Sequence, residues 1–170
     1  MRLRRRNIQL LWKRVGLLVG PQEEWTMVSR VKKTSDLNDK LQAGDALTSM
    51  DGQSLRYMNP DLVVMRFLEP RYSTATLEFE REVKISKQNH PSLKKMGIGM
   101  TQTYNGLIVK GVRKGSYAEL MGVKEGDIVM AVNGEKTRYL SLREAVRLID
   151  DGKSPELSLL IRRSVAVARK

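Results

Sequence analysis

At 170 residues and 19.4 kDa the chain has room for one ordinary domain or two small ones. Apolar residues make up 41%, enough for a packed core, and the 5% aromatic content argues against a base-stacking nucleic-acid surface. A lack of cysteine and a single histidine, His90, exclude disulfides, thiolate chemistry and multi-histidine metal centres; no apolar run of about 18 residues could span a membrane as a helix.

The net charge of +12 is unevenly spread. Residues 1–14 carry six basic side chains and no acid, residues 15–82 sum to −3, residues 83–95 to +4, residues 96–163 to +3 and the last seven to +2. The excess lies at the ends and at a middle junction. This pattern suits a folded body with basic extensions that anchor to something anionic: an acidic protein face, lipid headgroups or RNA.

In chain order, the arginine-rich start suits an organelle transit peptide. Ile8, Leu11, Trp12 and Val15 share one face if it is helical, while Ile8-Gln9-Leu10 equally suits the start of a strand. Its basic side chains, Arg2, Arg4, Arg5, Arg6, Lys13 and Arg14, are the candidate anchoring residues. Trp25 to Val31 reads as a strand, Gly44-Asp45 as a turn, and Asp51-Gly52 as a hairpin turn in which both residues favour positive φ. Asp61 to Leu68 reads as a helix. Thr76 to Arg81 reads as a strand, and its alternation continues through Val83 and Ile85 without a Gly/Ser linker.

A basic loop follows, Lys87 to Lys95, and then Gly97-Ile98-Gly99-Met100. Leu107 to Val112 reads as a strand. Ser116 caps a short helix that ends at Gly122. Gly126-Asp127 turns the chain into the strand Ile128–Val132, and Asn133-Gly134 is a second hairpin turn. Ser141 and Glu144 form a capping box for a longer helix whose apolar face is Leu142, Ala145, Val146, Leu148 and Ile149. Asp151-Gly152 stops it, and Leu157–Ile161 closes the series as a strand.

These elements occur twice. Val31-Lys-Lys-Thr-Ser35 matches Val112-Arg-Lys-Gly-Ser116. Gly44-Asp45 and Asp51-Gly52 match Gly126-Asp127 and Asn133-Gly134 at the same spacing, a period of about 82 residues, too long for a solenoid repeat. The expected division is a basic extension over 1–14, a first module over 15–82, a second over 83–163 and a basic tail over 164–170.

Gly-Asp, strand, Asn/Asp-Gly, then a helix opening Ser-Leu-x-Glu-Ala-Val resembles the core of a PDZ domain, well in the second copy and in degenerate form in the first. The resemblance implies an α+β chain, mainly β, of two PDZ-like partly open β-barrels in tandem, each with a short and a long helix. It also implies a groove that takes an extended partner segment beside an edge strand. Gly97, Ile98, Gly99 and Met100 then stand at the carboxylate-binding loop, and Leu142 and Val146 at the specificity positions of the long helix. In the first copy Gly16-Leu17-Leu18-Val19 has one glycine, and Asp61 falls near the position of Leu142, where a carboxylate repels a peptide terminus.

No catalytic constellation stands out. His90 precedes Pro91 in a lysine-rich loop, which does not suit a Ser–His–Asp triad. No glycine-rich loop leads into Lys-Ser/Thr, and the pairs Glu23-Glu24 and Asp150-Asp151 read as solvated turn carboxylates. Two modules leave no room for a protease domain, so a regulatory piece of a protease system ranks below the other readings. The reading favoured is a non-catalytic tandem adaptor or structural subunit, without cofactor or metal, that binds partner proteins through C-terminal or internal extended peptides within a larger hetero-oligomeric assembly. The alternative is an RNA-associated subunit, such as a ribosomal accessory protein, using its basic ends. An organelle, plastid or mitochondrion, is the expected location, peripheral if on a membrane.

Overall fold

The computed structural model describes residues 5–69, 73–89, 91–151 and 153–168. Arg2, Arg4, His90, Gly152 and the last two residues of the basic tail lie outside them. The chain divides into two compact units, Met1–Glu80 with Ser164–Lys170, and Arg81–Arg163.

In the first unit the acid-free start forms helix α1 (Arg5–Arg14). The 3.6-residue period of its apolar side chains wins over the short alternation at Ile8–Leu10. Leu11 is 1% exposed and Val15 is buried, with Ile8 and Trp12 half-buried. Lys13 and Arg14 occupy the last turn, where cations oppose the negative end of the helix dipole. The order of this segment therefore comes from the unit's own core and needs no external anchor. Gly16 ends it at φ +74°.

Next come β1 (Leu17–Gln22), β2 (Trp25–Val31), β3 (Ala46–Met50) and β4 (Gln53–Ser54). Helix α2 (Pro60–Phe67) begins one residue before the expected Asp61. Asn59 caps it by accepting from the Asp61 N–H at 2.9 Å, and Pro60 sits where a missing N–H costs nothing. Strand β5 (Thr74–Ser86) runs on into the second unit. The strand order in the first unit is β1-β2-β3-β5, with β4 beside β3. Leu11, Leu17, Leu47, Val63, Phe67 and Phe79 make the core. Val167 joins them at 2% exposure. Residues 164–168, expected as part of a basic tail, are strand because Val165-Ala166-Val167 alternates and turns its valines to this core.

The second unit continues from β5 through helix α3 (Leu93–Met96), β6 (Ile98–Thr103), β7 (Gly106–Val112), helix α4 (Tyr117–Leu120), β8 (Ile128–Val132) and β9 (Glu135–Lys136). Helix α5 (Leu142–Asp150) and β10 (Glu156–Ala168) complete the series. The order is β5-β10-β8-β7-β6, with β9 beside β8. Among the described residues the strands form an open sheet, not a closed barrel. Ile85, Met96, Val109, Val129, Ile149 and Leu159 lie in the core.

The paired motifs do the same local work in each unit. Asp51-Gly52 and Asn133-Gly134 turn their hairpins at φ +50°/+77° and +50°/+83°. After each Gly-Asp the aspartate is buried, and its carboxylate accepts an N–H three residues back: Gln42 to Asp45 and Lys124 to Asp127, both at 2.8 Å. The first two strands pair as Leu17↔Val31 with a bulge after Leu18, and as Ile98↔Val112 with a bulge after Gly99.

Asp127 carries a further partner. Arg163 donates Nε and Nη2 to its two oxygens at 2.6 and 2.7 Å, and Nη2 also to the Gly122 carbonyl at 2.8 Å. The side chains are 10% and 1% exposed. Removing one partner leaves the other charge buried, which costs about 3–5 kcal/mol. Arg163→Leu should therefore lower the amide exchange protection of β8 by about 100-fold or more. A change under tenfold would show that the pair does not hold this unit together.

Candidate functional site

Strand β6 ends the strand order of the second unit and pairs only with β7 among the described residues. An edge strand presents unpaired N–H and C=O groups along its outer side. Helix α5 packs against β6 and α3. Its start is fixed by a complete capping box. Ser141 N–H and Oγ–H each donate to Glu144 Oε2 at 2.7 Å, and Glu144 N–H donates to Ser141 Oγ at 3.3 Å. These bonds, the Ser141 hydroxyl first and its backbone N–H second, hold the Glu144 carboxyl below the usual carboxylate range.

From that start the helical period sorts the side chains. Ala145 and Ile149 are buried at 1% and 0% exposure, while Leu142 and Val146, one turn apart, are half-buried against the same core. Met100 of β6 is also half-buried against it. The second unit thus brings together a strand edge and three partly covered apolar side chains, the walls of a groove suited to an extended segment.

The glycine loop divides into two roles. Gly97 caps α3 at φ +85° and its N–H donates to the carbonyls of Leu93 and Lys94 at 3.0 and 3.2 Å. That amide is engaged inside the chain, so a carboxylate would have to be met by the amides that follow. A Cβ on Gly97 would lie 2.4 Å from Ser116 Cβ, so glycine is required here by packing. Gly99 is different: it is exposed and has ordinary φ, and its Cβ would meet nothing closer than the Gly111 carbonyl at 3.7 Å. Ile98 is buried at 5% exposure and serves the core. Lys94 and Lys95 are exposed beside the loop, and Arg113 Nη2 donates to the Lys95 carbonyl at 3.3 Å.

The carboxylates read as solvated, Asp150 and Asp151, have structural partners. Asp150 accepts from the Leu93 N–H at 3.2 Å and so ties the start of α3 to the end of α5. Asp151 pairs with the buried Lys87 Nζ at 3.3 Å. No local pattern announces either contact, because the partners lie 57 and 64 residues away.

The first unit has the corresponding strand and helix with different chemistry. Its edge strand β1 contains Pro21, which has no N–H to offer an added strand. Aligned on the two capping residues, Asn59 and Ser141, Pro60 stands opposite Leu142 and Asp61 opposite Arg143. This moves the carboxylate one position from where the sequence reading put it. Of the candidate anchoring residues, Arg5, Arg6, Lys13 and Arg14 lie exposed on α1. No helix among the described residues is long and apolar enough to cross a membrane.

Two contrasting outcomes are expected from the loop. Gly97→Ala meets both a left-handed φ and the Ser116 contact and should cost at least about 1–2 kcal/mol, whereas Gly99→Ala should change stability by less than about 0.5 kcal/mol; chemical denaturation of the two variants decides. The capping box carries a pH dependence. Because the folded pKa of Glu144 is depressed, its contribution is present above the unfolded value, about 4.3, and is lost as pH falls through the folded value. The amides of the first turn of α5 should accordingly exchange faster in this acid range, and Glu144→Gln should abolish that pH dependence.

Residues 108–163 match the family model of the PDZ domain. PDZ domains generally mediate protein–protein or peptide binding and are typically non-catalytic. The matched stretch runs from β7 to Arg163 and takes in Leu142 and Val146, while Gly97–Met100 precede it. Among solved structures, the chain is similar to the PDZ domain of a choanoflagellate SHANK1 bound to a GIRK3 peptide, at 22% identity and a TM-score of 0.43, over 51% of this chain and 93% of that one.

Proposed function

We propose that the second unit binds an extended partner segment, added antiparallel to β6, with its side chains meeting Met100, Leu142 and Val146. The observation that carries this is the unpaired outer edge of β6 alongside the half-buried Leu142 and Val146, in a unit where the PDZ match lies. Main-chain bonds supply pairing and the apolar side chains supply selection. Where the segment ends, its carboxylate meets the amides after Gly97.

On this reading the protein is a non-catalytic adaptor or structural subunit within a larger, hetero-oligomeric assembly. The first unit is a degenerate duplicate of the second. The matching hairpin φ values, the buried Gly-Asp aspartates and the two bulged strand pairs support duplication. Pro21 in its edge strand supports loss of peptide capture there. The exposed Arg5, Arg6, Lys13 and Arg14 support docking of α1 on an anionic face of the assembly. The arginine-rich start is what supports an organellar location.

Titrating the full-length chain with a library of C-terminal peptides tests the groove. An apolar-ended peptide should bind, and Leu142→Lys should weaken it by roughly 5- to 150-fold, the cost of about 1–3 kcal/mol for a charge set into an apolar site. No binder at millimolar concentration, with the Leu142→Lys variant retaining its native partners, would overturn the reading.

A further inference from the structure

Glu23-Glu24 finds a use in neither the fold nor the groove. In the first unit the β1–β2 turn and the start of α2 enclose an open cavity of about 320 Å³. Its walls are mostly apolar, with Trp25, Tyr57, Met58 and Pro60, and three carboxylates stand at it, Glu23, Glu24 and Asp61. Two of the chain's nine aromatic side chains meet there. Tyr57 is 74% exposed, at a φ of +57° that is uncommon for a side chain of this size. Its N–H donates to the Glu24 carbonyl at 2.7 Å, which fixes that conformation.

The site already seats one guanidinium. The Arg56 head group lies 5.8 Å from the Trp25 ring centroid and 5.0 Å from that of Tyr57. It binds Glu24 Oε2 through Nε at 2.7 Å and Nη2 at 2.6 Å. Glu24 is thereby neutralised, while Glu23 and Asp61 leave the mouth of the cavity acidic in a chain of net charge +12. An apolar occupant would desolvate these carboxylates without compensating them, and a phosphate would be repelled. A cation on an aromatic face beside carboxylates satisfies every wall.

We propose that this cavity is a recognition site for an arginine or lysine side chain presented by a partner protein. The incoming cation lies against the outer faces of Trp25 and Tyr57 and is held by Glu23 and Asp61. The site is separate from the groove of the second unit, and its success or failure says nothing about that groove.

The test is a titration of the isotope-labelled full-length protein with acetyl-Gly-Arg-Gly-amide and, in parallel, with its citrulline isostere, which keeps the shape and removes the charge. The Trp25 indole N–H and the Tyr57 amide are the reporters. The arginine peptide should shift both saturably, in the millimolar range expected of a single side chain, and the citrulline peptide should bind at least about fivefold more weakly. Glu23→Gln with Asp61→Asn should weaken the arginine peptide similarly while leaving resonances elsewhere unchanged. Trp25→Leu tests the aromatic wall separately, and with Trp12 as a folding reporter a merely unfolded variant is recognised. Three results would overturn the proposal: no shift at about 20 mM peptide, equal binding of the citrulline peptide, or reporter shifts that follow protein concentration alone, which would make a second copy of this chain the occupant.

Discussion

The contact between Gly97 and Ser116 sets the geometry on which the second unit depends. Any side chain on Gly97 would drive into Ser116 Cβ at 2.4 Å. Glycine lets the two backbones close, and the Arg113 N–H then reaches the Gly97 carbonyl at 2.8 Å. That bond starts the β6–β7 ladder, and Ser116 at the same contact caps α4. Helix α3 ends and strand β6 begins at this one residue, so the edge strand departs beside α5. The first unit repeats the device: Gly16 would meet Ser35 Cβ at 2.8 Å, and its carbonyl accepts the Lys32 N–H at 2.7 Å. A glycine that looks like part of a ligand loop is in both places first a packing residue.

Much of the local structure was legible because its causes are local. Asn133-Gly134 needs two positive φ values and adopts them; Ser141 and Glu144, three apart, close a capping box; Ser116 caps and Gly122 stops a short helix. Each of these is decided within one turn of chain. What escaped the sequence depends on distant partners. The basic start and tail read as extensions because charge dominates their composition, yet Leu11 and Val167 are core side chains of the first unit. Asp150 looked solvated until the Leu93 amide, 57 residues earlier, came to it. The one-residue placement of Asp61 against Leu142 failed because Asn59, not Asp61, caps the helix, and capping choice between adjacent Asn and Asp is settled by how the loop arrives.

The same logic separates the two edge strands. Both β1 and β6 end a strand order, and both follow a left-handed glycine after a helix. An edge becomes a binding surface only when it offers donors and acceptors in register and apolar side chains at its flank. In β6 the sequence Ile98-Gly-Met-Thr supplies an uninterrupted run of N–H groups, and Leu142 and Val146 flank it. In β1 Pro21 breaks the run, Pro60 takes the place of Leu142, and the apolar residues exposed on α2, Leu62 at 52% and Met65 at 56%, are not the ones matching Leu142 and Val146.

Loss of one kind of binding surface releases the residues around it for another. Once Pro21 removes a donor from the edge, the turn that follows is free of the demands of strand addition, and it carries Glu23, Glu24 and Trp25. Pro60 in place of a leucine stiffens the start of α2 and fixes one wall of the cavity without occupying it. Arg56 and Tyr57 complete the cluster through contacts to Glu24 and Trp25, made across 31 to 33 residues of sequence and therefore invisible to any local pattern. In the second unit the position opposite Asp61 is Arg143, so a cation there would face its own charge. The chemistry of the two helix starts is thus opposite in sign, and two units with the same turns and the same bulged strand pair are equipped for partners of different charge.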